Sequence, residues 1–159
     1  MHGMTSTQRT EQALAAIQAA GGEGRRIFTR VYADAALEAA RAADERAARG
    51  IALGPLDGRI VSIKDLFDVA GEPTTAGSAV LRDAPPAARD AAIVQRLRAG
   101  GAVLIGKTNM TEFAFSGIGI NPHHGTPGNA HDALRIPGGS SSGAGVSVAR
   151  GMAEIAIGS

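Results

Sequence analysis

The sequence predicts an α/β protein in which helices pack on the faces of a sheet. Three short apolar runs, residues 58–65, 102–105 and 153–157, are too short for good helices. They are bounded by turn residues or helix ends, as is typical of buried strands. Helix-forming segments separate these runs, and alternation of strand and helix favours a layered α/β architecture. The order of the elements therefore indicates the fold class before any motif is considered.

Composition excludes several classes of protein. The chain has 159 residues, 44% hydrophobic and 19% charged, which suits one packed domain and not a disordered chain. A net charge of +1 and 3% aromatic residues offer no polyanion-binding balance and few stacking platforms. We therefore expect no direct nucleic-acid partner. The absence of cysteine excludes disulfides and thiolate chemistry.

The chain shows no signature of a targeting or membrane segment. Residues 1–12 are polar and contain no apolar stretch of the secretory type. No run of about 18 apolar residues, the length needed to span a bilayer, occurs in the sequence. We expect no membrane partner and a cytoplasmic location, which the missing cysteines also fit.

The N-terminal third is predicted to be helical. Residues 7–49 are rich in Ala, Glu and Arg and predict two helices, with Thr29 as an N-cap and Gly50 as a stop. Residues 1–53 are accordingly interpreted as a helical leader. Residues 54–159 are interpreted as the first part of the main domain.

Turn and cap residues predict the elements between the strands. Residues 72–78 contain Pro, Thr and Gly and are predicted as a loop. Asp90 is predicted to cap the next helix, which ends at Gly100. After the second strand, Asn109 and Glu112 have the spacing of a capping box and predict another short helix.

The last part of the chain is predicted to form a loop, a helix and a strand. Residues 117–139 are interpreted as loop, residues 140–149 as a helix of small residues, and residues 153–157 as a fully buried strand. Natural domains usually finish in a surface helix or a polar tail. Because Ser159 directly follows the last strand, we expect the domain to be incomplete.

Four residues satisfy the pattern of a phosphate-binding loop, namely Gly101, Gly106, Lys107 and Thr108. In such a loop the strand precedes the first glycine, and the intervening residues curl around phosphate. Here the intervening residues, 102–105, are the predicted strand itself. We interpret the match as accidental and keep a nucleotide-binding module only as an alternative of another class.

Lys64 is one of only two lysines in the chain, beside fourteen arginines. It ends the apolar run of the first strand, where burial disfavours the charged form and can lower the pKa of a lysine by several units. A neutral lysine can act as a base. The alternative is a strand-end lysine that reaches water or pairs with Asp65 or Asp68, and spacing alone favours that alternative.

Residues 137–143, with the sequence PGGSSSG, form the second candidate feature. Two glycines permit backbone conformations that other residues avoid, and three serines supply hydroxyls where a helix begins. A functional loop and a plain turn with one serine as N-cap fit this pattern equally well.

Three histidines, His123, His124 and His131, lie in the loop rich in Gly and Pro. No acidic ligand stands at a recognisable spacing from them. We interpret them as surface residues and expect neither a metal site nor another cofactor.

Taken together, these segments resemble the amidase signature family of serine hydrolases. Residues 55–78 are similar to the family's lysine strand and its loop, residues 89–117 to the next helix, strand and helix, and residues 125–151 to the signature rich in Gly and Ser. The blocks occur in the family's order and cover roughly residues 54–159. The resemblance implies the N-terminal part of an α/β/α sandwich with a mixed central sheet.

The resemblance also implies a Ser-Ser-Lys triad, in which lysine takes the place of histidine as the base. By motif position, Lys64 matches the base. Ser140, which follows Gly138 and Gly139, matches the bridging serine, which in this family follows a cis peptide bond. Neutral Lys64 would take a proton from Ser140 while Ser140 takes one from the nucleophilic serine. Ser141 is expected to support the relay by hydrogen bonding.

The chain departs from the family pattern at a few places. Ser142 stands where many members have glycine, and Gly128 replaces a larger residue; both are interpreted as tolerated variants. In the family, the nucleophile and the oxyanion hole follow the strand that ends here, so both are expected beyond Ser159. About a third of a family chain is then present, and the isolated chain is predicted to be inactive.

The resemblance leaves more than one function open. The main expectation is an amide hydrolase that forms an acyl-enzyme with a small-molecule amide, with assembly into a homo-oligomer as one option. An amidotransferase subunit that supplies ammonia for amidating mischarged tRNA shares the same blocks. The remaining alternative is a non-catalytic interaction protein, whose exposed final strand would need a partner edge.

Overall fold

The computed structural model describes residues 3–159, and residues 1 and 2 of the predicted leader lie outside this description. The described chain forms a sheet with helices on both faces. The strands are β1 (Phe28–Val31), β2 (Ile60–Lys64), β3 (Val103–Thr108) and β4 (Ile155–Ile157), and the α-helices are α1 (Ser6–Ala19), α2 (Gly22–Ile27), α3 (Ala33–Ala48), α4 (Ala92–Ala99) and α5 (Ser142–Ala149). A short 3₁₀ turn spans Glu112–Ala114.

The sheet is mixed, with the strand order β1-β3-β2-β4. Strand β2 runs parallel to both β3 and β4, whereas β1 is antiparallel to β3. All residues of β2 and β3 are buried, as expected for strands covered on both faces. The predicted α/β fold with a mixed sheet is confirmed.

The two faces of β2 pack against different helices, because successive side chains of a strand point to opposite faces. Ile60 belongs to a core cluster that includes residues of α1 and α5. Val61 and Ile63 instead pack with Val94 and Leu97 of α4. Lys64 therefore lies on the same face as Ile60, the face covered by α1 and α5.

The leader is not purely helical, and the prediction that Thr29 is an N-cap is wrong. Thr29 lies within β1, and α3 starts at Ala33, directly after Tyr32. The buried ring of Phe28 anchors β1 in the core, and the backbone pairs with β3. A four-residue edge strand with one buried end carries too little periodicity to be recognised in the sequence.

The prediction that Asp90 caps α4 is also wrong. Its carboxylate accepts hydrogen bonds from the backbone N–H of Ala70 at 2.8 Å and from Arg98 Nε at 3.0 Å. Helix α4 begins after Ala91 without a side-chain cap. Asp90 thus ties the loop after β2 to the far end of α4, a contact that local spacing does not reveal.

Asn109 does not start a helix as predicted. Its side-chain amide donates to the backbone carbonyls of Arg26 at 2.8 Å and Gly125 at 2.7 Å. The turn at Glu112 begins after Thr111 instead. Asn109 is fully buried and joins the leader to the long loop directly after β3.

The C-terminal elements match their predicted order with two differences. Helix α5 begins at Ser142 and not at Ser140, which leaves Ser140 in the loop. Strand β4 is half-buried along its length and not fully buried, since it lies at the edge of the sheet formed by residues 3–159. Within residues 3–159, no helix is long and apolar enough to cross a membrane.

The C-terminal turn of α3 is held to the segment before β2 by an ion pair. Arg46 Nε and Nη2 lie 3.1 and 2.5 Å from the two carboxylate oxygens of Asp57. The carboxylate also accepts from the backbone N–H of Leu53 at 2.9 Å. The hydrogen bonds from Arg46 hold the pKa of Asp57 below its usual value.

We expect Arg46→Met to lower the free energy of unfolding at pH 7 by about 1.5 kcal/mol, because Asp57 loses a charged hydrogen-bond donor. A carboxyl with a lowered folded pKa contributes stability above its unfolded pKa of about 3.9 and loses it as the pH falls through the folded value. The difference between the two proteins in urea unfolding should therefore shrink below about pH 4. The control Arg49→Met, at an exposed position, should change stability by less than about 0.5 kcal/mol. An equal loss at pH 7 and pH 3 would contradict the assignment.

Candidate active site

Lys64 ends the central strand and its side chain is fully buried. Burial lowers the pKa of its amine, because a charged ammonium is poorly solvated there. Among residues 3–159, no aspartate or glutamate carboxylate lies within ion-pair distance of Lys64. The neighbouring carboxylate of Asp65 lies 3.7 Å from Lys107 Nζ instead. The environment of Lys64 thus favours a neutral amine.

The structure brings Lys64 and Ser140 together across 76 residues of sequence. Lys64 Nζ lies 2.6 Å from Ser140 Oγ. The peptide bond between Gly139 and Ser140 is cis, and the carbonyl of Ser140 accepts a hydrogen bond from the backbone N–H of Thr111 at 2.9 Å. A buried amine and a half-buried hydroxyl at this distance can exchange a proton directly.

The two glycines before Ser140 are required for different reasons. Gly138 has a φ of +80°, a conformation that favours glycine. At Gly139, an added Cβ would lie 2.6 Å from the backbone nitrogen of Gly119 and 2.7 Å from its Cα. The N–H of Gly139 also donates to the carbonyl of Gly117 at 2.8 Å. Backbone contacts between the two loops therefore fix the position of Ser140.

Ser159 also reaches this site, although no sequence motif assigned it a role. Its Oγ lies 2.9 Å, and its carbonyl oxygen 3.2 Å, from Lys64 Nζ. The hydroxyl of Ser141 accepts from the N–H of Ser159 and donates to its carbonyl, both at 3.2 Å. The available signal was topological: Ser159 follows β4, and parallel strands end at the same edge of a sheet.

The two departures from the family pattern fit the structure. The hydroxyl of Ser142 is buried and donates to the carbonyl of Asn109 at 3.4 Å. At Gly128, an added Cβ would meet the atoms of Ala133 at 3.4 Å, which is an ordinary contact. Gly143, the residue after Ser142, has no room for a side chain, since a Cβ there would lie 2.3 Å from the carbonyl oxygen of Ile27.

The three histidines lie outside this site. His131 is exposed, and so is His123, whose Nε2 lies 3.0 Å from a carboxylate oxygen of Glu112. His124 is half-buried rather than on the surface as predicted, and burial lowers its pKa. Within residues 3–159, no cluster of three or more His, Cys, Asp or Glu side chains could hold a metal ion.

Three of the four residues of the phosphate-loop pattern lie in a strand. Gly106, Lys107 and Thr108 belong to β3, and all three are buried. Lys107 is 2% exposed and lies 3.1 Å from a carboxylate oxygen of Glu72. A lysine that is enclosed in this way by carboxylates offers no open face to a phosphate group.

Comparison with known families agrees with this geometry. The family model described as Amidase matches residues 9–159. The chain belongs to the amidase signature family. The match includes most of the predicted leader, so the family resemblance extends over more of the chain than the three sequence blocks.

Two relatives within the amidase signature family illustrate its range. The chain is 46% identical over 149 residues to AtzE of 1-carboxybiuret hydrolase from Pseudomonas sp. strain ADP, covering 94% of this chain and 32% of the relative. It is also 46% identical over 155 residues to the A-type subunit of glutamyl-tRNA(Gln) amidotransferase from Anaeromyxobacter dehalogenans, covering 98% and 31%. The chain thus spans about a third of the relatives that it matches.

Solved amidase signature structures share the fold at comparable coverage. A chain from a vestigial protein complex, described as revealing the evolutionary origins of an s-triazine catabolic enzyme, superposes with a TM-score of 0.87 at 45% identity. The match covers 94% of this chain and 33% of that one. Peptide amidase from Stenotrophomonas maltophilia superposes with a TM-score of 0.84 at 36% identity, covering 96% and 32%. These levels of identity support the fold and the family together.

The loop contact at Gly139 can be tested with a matched glycine. Gly139→Ala should lower the free energy of unfolding by about 1 to 3 kcal/mol and displace Ser140, because the new Cβ meets backbone that cannot move freely. Gly145→Ala is the control, since this exposed helix position has no atom within 4 Å of an added Cβ. That substitution should stabilise by about 0.5 to 1 kcal/mol. Equal urea-unfolding curves for the two variants would contradict the close approach.

The titration of Lys64 can be measured directly because the chain has only two lysines. Lysine labelled with ¹³C at Cε should give two side-chain NMR signals, and the one lost in Lys64→Met belongs to Lys64. We expect this signal to titrate below the ordinary lysine pKa of about 10.4, owing to burial. The C-terminus is amidated, so that no terminal carboxylate lies beside Lys64 Nζ. A midpoint at or above the ordinary value would then contradict the lowered pKa of the buried amine.

Proposed function

We propose that the chain carries the base and the bridging serine of an amide-hydrolysing site. The observation that supports this proposal is the 2.6 Å contact between Lys64 Nζ and Ser140 Oγ, with the amine buried and its pKa lowered. A base must be unprotonated and within hydrogen-bond distance of its proton donor. The distance from Lys64 to Ser140 and the lowered pKa of Lys64 both support this role.

In the proposed reaction, neutral Lys64 accepts the hydroxyl proton of Ser140 while Ser140 Oγ accepts the proton of a second, nucleophilic serine. That serine attacks the carbonyl carbon of the amide, and a tetrahedral intermediate forms. The C–N bond then breaks, and the proton held by Lys64 returns through Ser140 to the leaving amine. Water repeats the sequence on the acyl-enzyme and releases the carboxylic acid.

We place the nucleophile and the oxyanion hole beyond residue 159. The coding sequence after Ser159 tests this placement: continuation into Asp, Thr or a similar residue and then Gly-Gly-Ser would supply the nucleophile. A stop codon at that point, together with a cellular protein of this mass, would instead favour the non-catalytic interaction protein. Ser159 itself contributes a hydroxyl beside Lys64 in either case.

The 159-residue chain alone should hydrolyse no simple amide, because the proposed nucleophile is not part of it. In the longer protein that contains this chain, Lys64→Ala should lower kcat/KM for its amide substrate by at least about 100-fold, since the nucleophile loses its base. Arg41→Ala, at an exposed position on α3, serves as the control and should leave the rate unchanged. Hydrolysis by the short chain that disappears in Lys64→Ala would refute the placement of the nucleophile. Wild-type turnover in the longer Lys64→Ala protein would refute the role of Lys64.

A second candidate is the A-type subunit of a tRNA-dependent amidotransferase. It is supported by the identity to that component of glutamyl-tRNA(Gln) amidotransferase, which equals the identity to the carboxybiuret hydrolase component. Purification of the longer protein from its own cells separates the two. Co-purification with partner subunits, with ammonia transferred to an acyl acceptor, supports the amidotransferase. Release of free ammonia by the purified protein alone supports a free-standing amidase acting on a small-molecule amide.

A further inference from the structure

The second lysine of the chain is also buried, on the opposite face of the sheet from Lys64. Lys107 lies in β3, where its partner in the parallel register is Ile63 of β2. Ile63 and Lys64 are consecutive and point to opposite faces, so the side chain of Lys107 shares the face of Ile63. Lys107 is 2% exposed and has no part in the proposed proton relay.

Polar groups of the segment that follows β2 surround the ammonium of Lys107. Its Nζ lies 3.1 Å from Glu72 Oε1 and 3.7 Å from Asp65 Oδ1. It also lies 3.4 Å from both the carbonyl oxygen of Pro73 and the hydroxyl of Thr74. All four partners belong to the segment of about ten residues directly after Lys64, so Lys107 binds that segment to β3.

Arg30 of β1 and Tyr32, which directly follows β1, complete the cluster. Arg30 Nε lies 3.0 Å from Glu72 Oε2, and the hydroxyl of Tyr32 donates to Glu72 Oε1. Burial and this hydrogen bond raise the pKa of Tyr32, so the phenol stays neutral. Half-buried His124 also senses the charge of Asp65, but burial lowers its pKa and favours its neutral form.

The cluster therefore contains two cations, Lys107 and Arg30, and two anions, Asp65 and Glu72. Removing one member leaves an uncompensated charge in a buried position, which is strongly unfavourable. The segment after β2 would then be expected to move so that the remaining carboxylates reach water.

Asp65 connects this cluster to Lys64, its neighbour in sequence. The backbone N–H of Asp65 donates to the carbonyl of Thr108 at 3.0 Å, and its carbonyl accepts from the N–H of Ala76 at 2.9 Å. Its carboxylate accepts from the hydroxyl of Thr75. Asp65 thus joins the two ends of the loop formed by residues 65–76 and also attaches this loop to β3.

We propose that Lys107 is a positioning residue, whose charge holds Asp65 and Glu72 and thereby keeps the amine of Lys64 buried against Ser140. The proposal rests on the proposed function for its catalytic meaning. In physical terms, the charge of Lys107 on one face of the sheet affects the burial of the Lys64 amine on the other face. The backbone of the segment after Lys64 transmits this effect.

The test uses the same ¹³C-labelled lysine signals in the 159-residue chain with an amidated C-terminus, so it needs no catalytic activity. The amide is needed because a free terminal carboxylate would lie beside Lys64 Nζ and raise its pKa. Lys107→Met keeps the length of the side chain, removes the charge and leaves only the signal of Lys64. We expect the pKa of Lys64 to rise by at least about one unit in Lys107→Met. At any pH below the wild-type and the variant pKa, this rise corresponds to about a tenfold smaller fraction of neutral amine. Lys107→Arg restores the charge and should return the pKa of Lys64 most of the way to the wild-type value. Arg41→Met, which removes an exposed charge, should leave it unchanged.

Asp65→Asn separates positioning from simple electrostatics. Losing the positive charge at residue 107 removes a repulsion and would by itself raise the pKa of Lys64, so Lys107→Met alone does not separate the two effects. Losing the anion at residue 65 would lower the pKa of Lys64 further if only charges acted, whereas loosening of the segment exposes the amine and raises it. A rise in Asp65→Asn therefore supports the proposal, and a fall or no change overturns it. If Lys107→Met does not fold, Asp65→Asn carries the test.

The pKa of Lys64 in the wild-type chain separates a failure of the proposed function from a failure of the positioning role of Lys107. If wild-type Lys64 titrates at the ordinary lysine value, both the base assignment and the positioning proposal are overturned. If the wild-type value is lowered and Asp65→Asn does not raise it, only the positioning proposal is overturned and the proposed function stands.

Discussion

The burial of Lys64, with no Asp or Glu carboxylate beside it among residues 3–159, is the constraint on which the rest of the site depends. Burial disfavours a charged ammonium, so the fold that removes water from Lys64 also lowers the pKa of its amine. That burial requires β2 to be central, with a strand on each side and helices on both faces. The layered fold and the chemistry of the site therefore have a common physical origin.

The choice of lysine at this position follows from the same argument. The chain has fourteen arginines, but a guanidinium remains protonated in proteins and cannot serve as a base. The two lysines occupy neighbouring strands and receive opposite partners: hydroxyls of Ser140 and Ser159 for Lys64, and carboxylates of Asp65 and Glu72 for Lys107. The two lysines lie at neighbouring register positions of β2 and β3, but their side chains are on opposite faces of the sheet. The two buried amines therefore have different electrostatic surroundings.

The sequence predicted β2 and β3 correctly, because strands buried on both faces have a continuous apolar pattern. The order of the motifs also predicted the family correctly. Sequence reasoning failed where a polar side chain is satisfied by a distant partner. Asp90 and Asn109 have the local spacing of caps, but they bind backbone groups 20 and 83 residues away. Ser159 was missed because its contact with Lys64 spans 95 residues and depends on the parallel pairing of β4 with β2. Local patterns carry no information on such pairings, which the topology of the sheet decides.

Backbone contacts hold the loop that carries Ser140. The carbonyl of Ser140 is held by a backbone N–H, and Gly139 packs on the backbone of Gly119. Side chains that project from the same loops, such as Phe115 and Leu134, are more than 90% exposed in the described chain and take no part in these contacts. Substitutions at these exposed side chains can therefore leave the position of Ser140 unchanged.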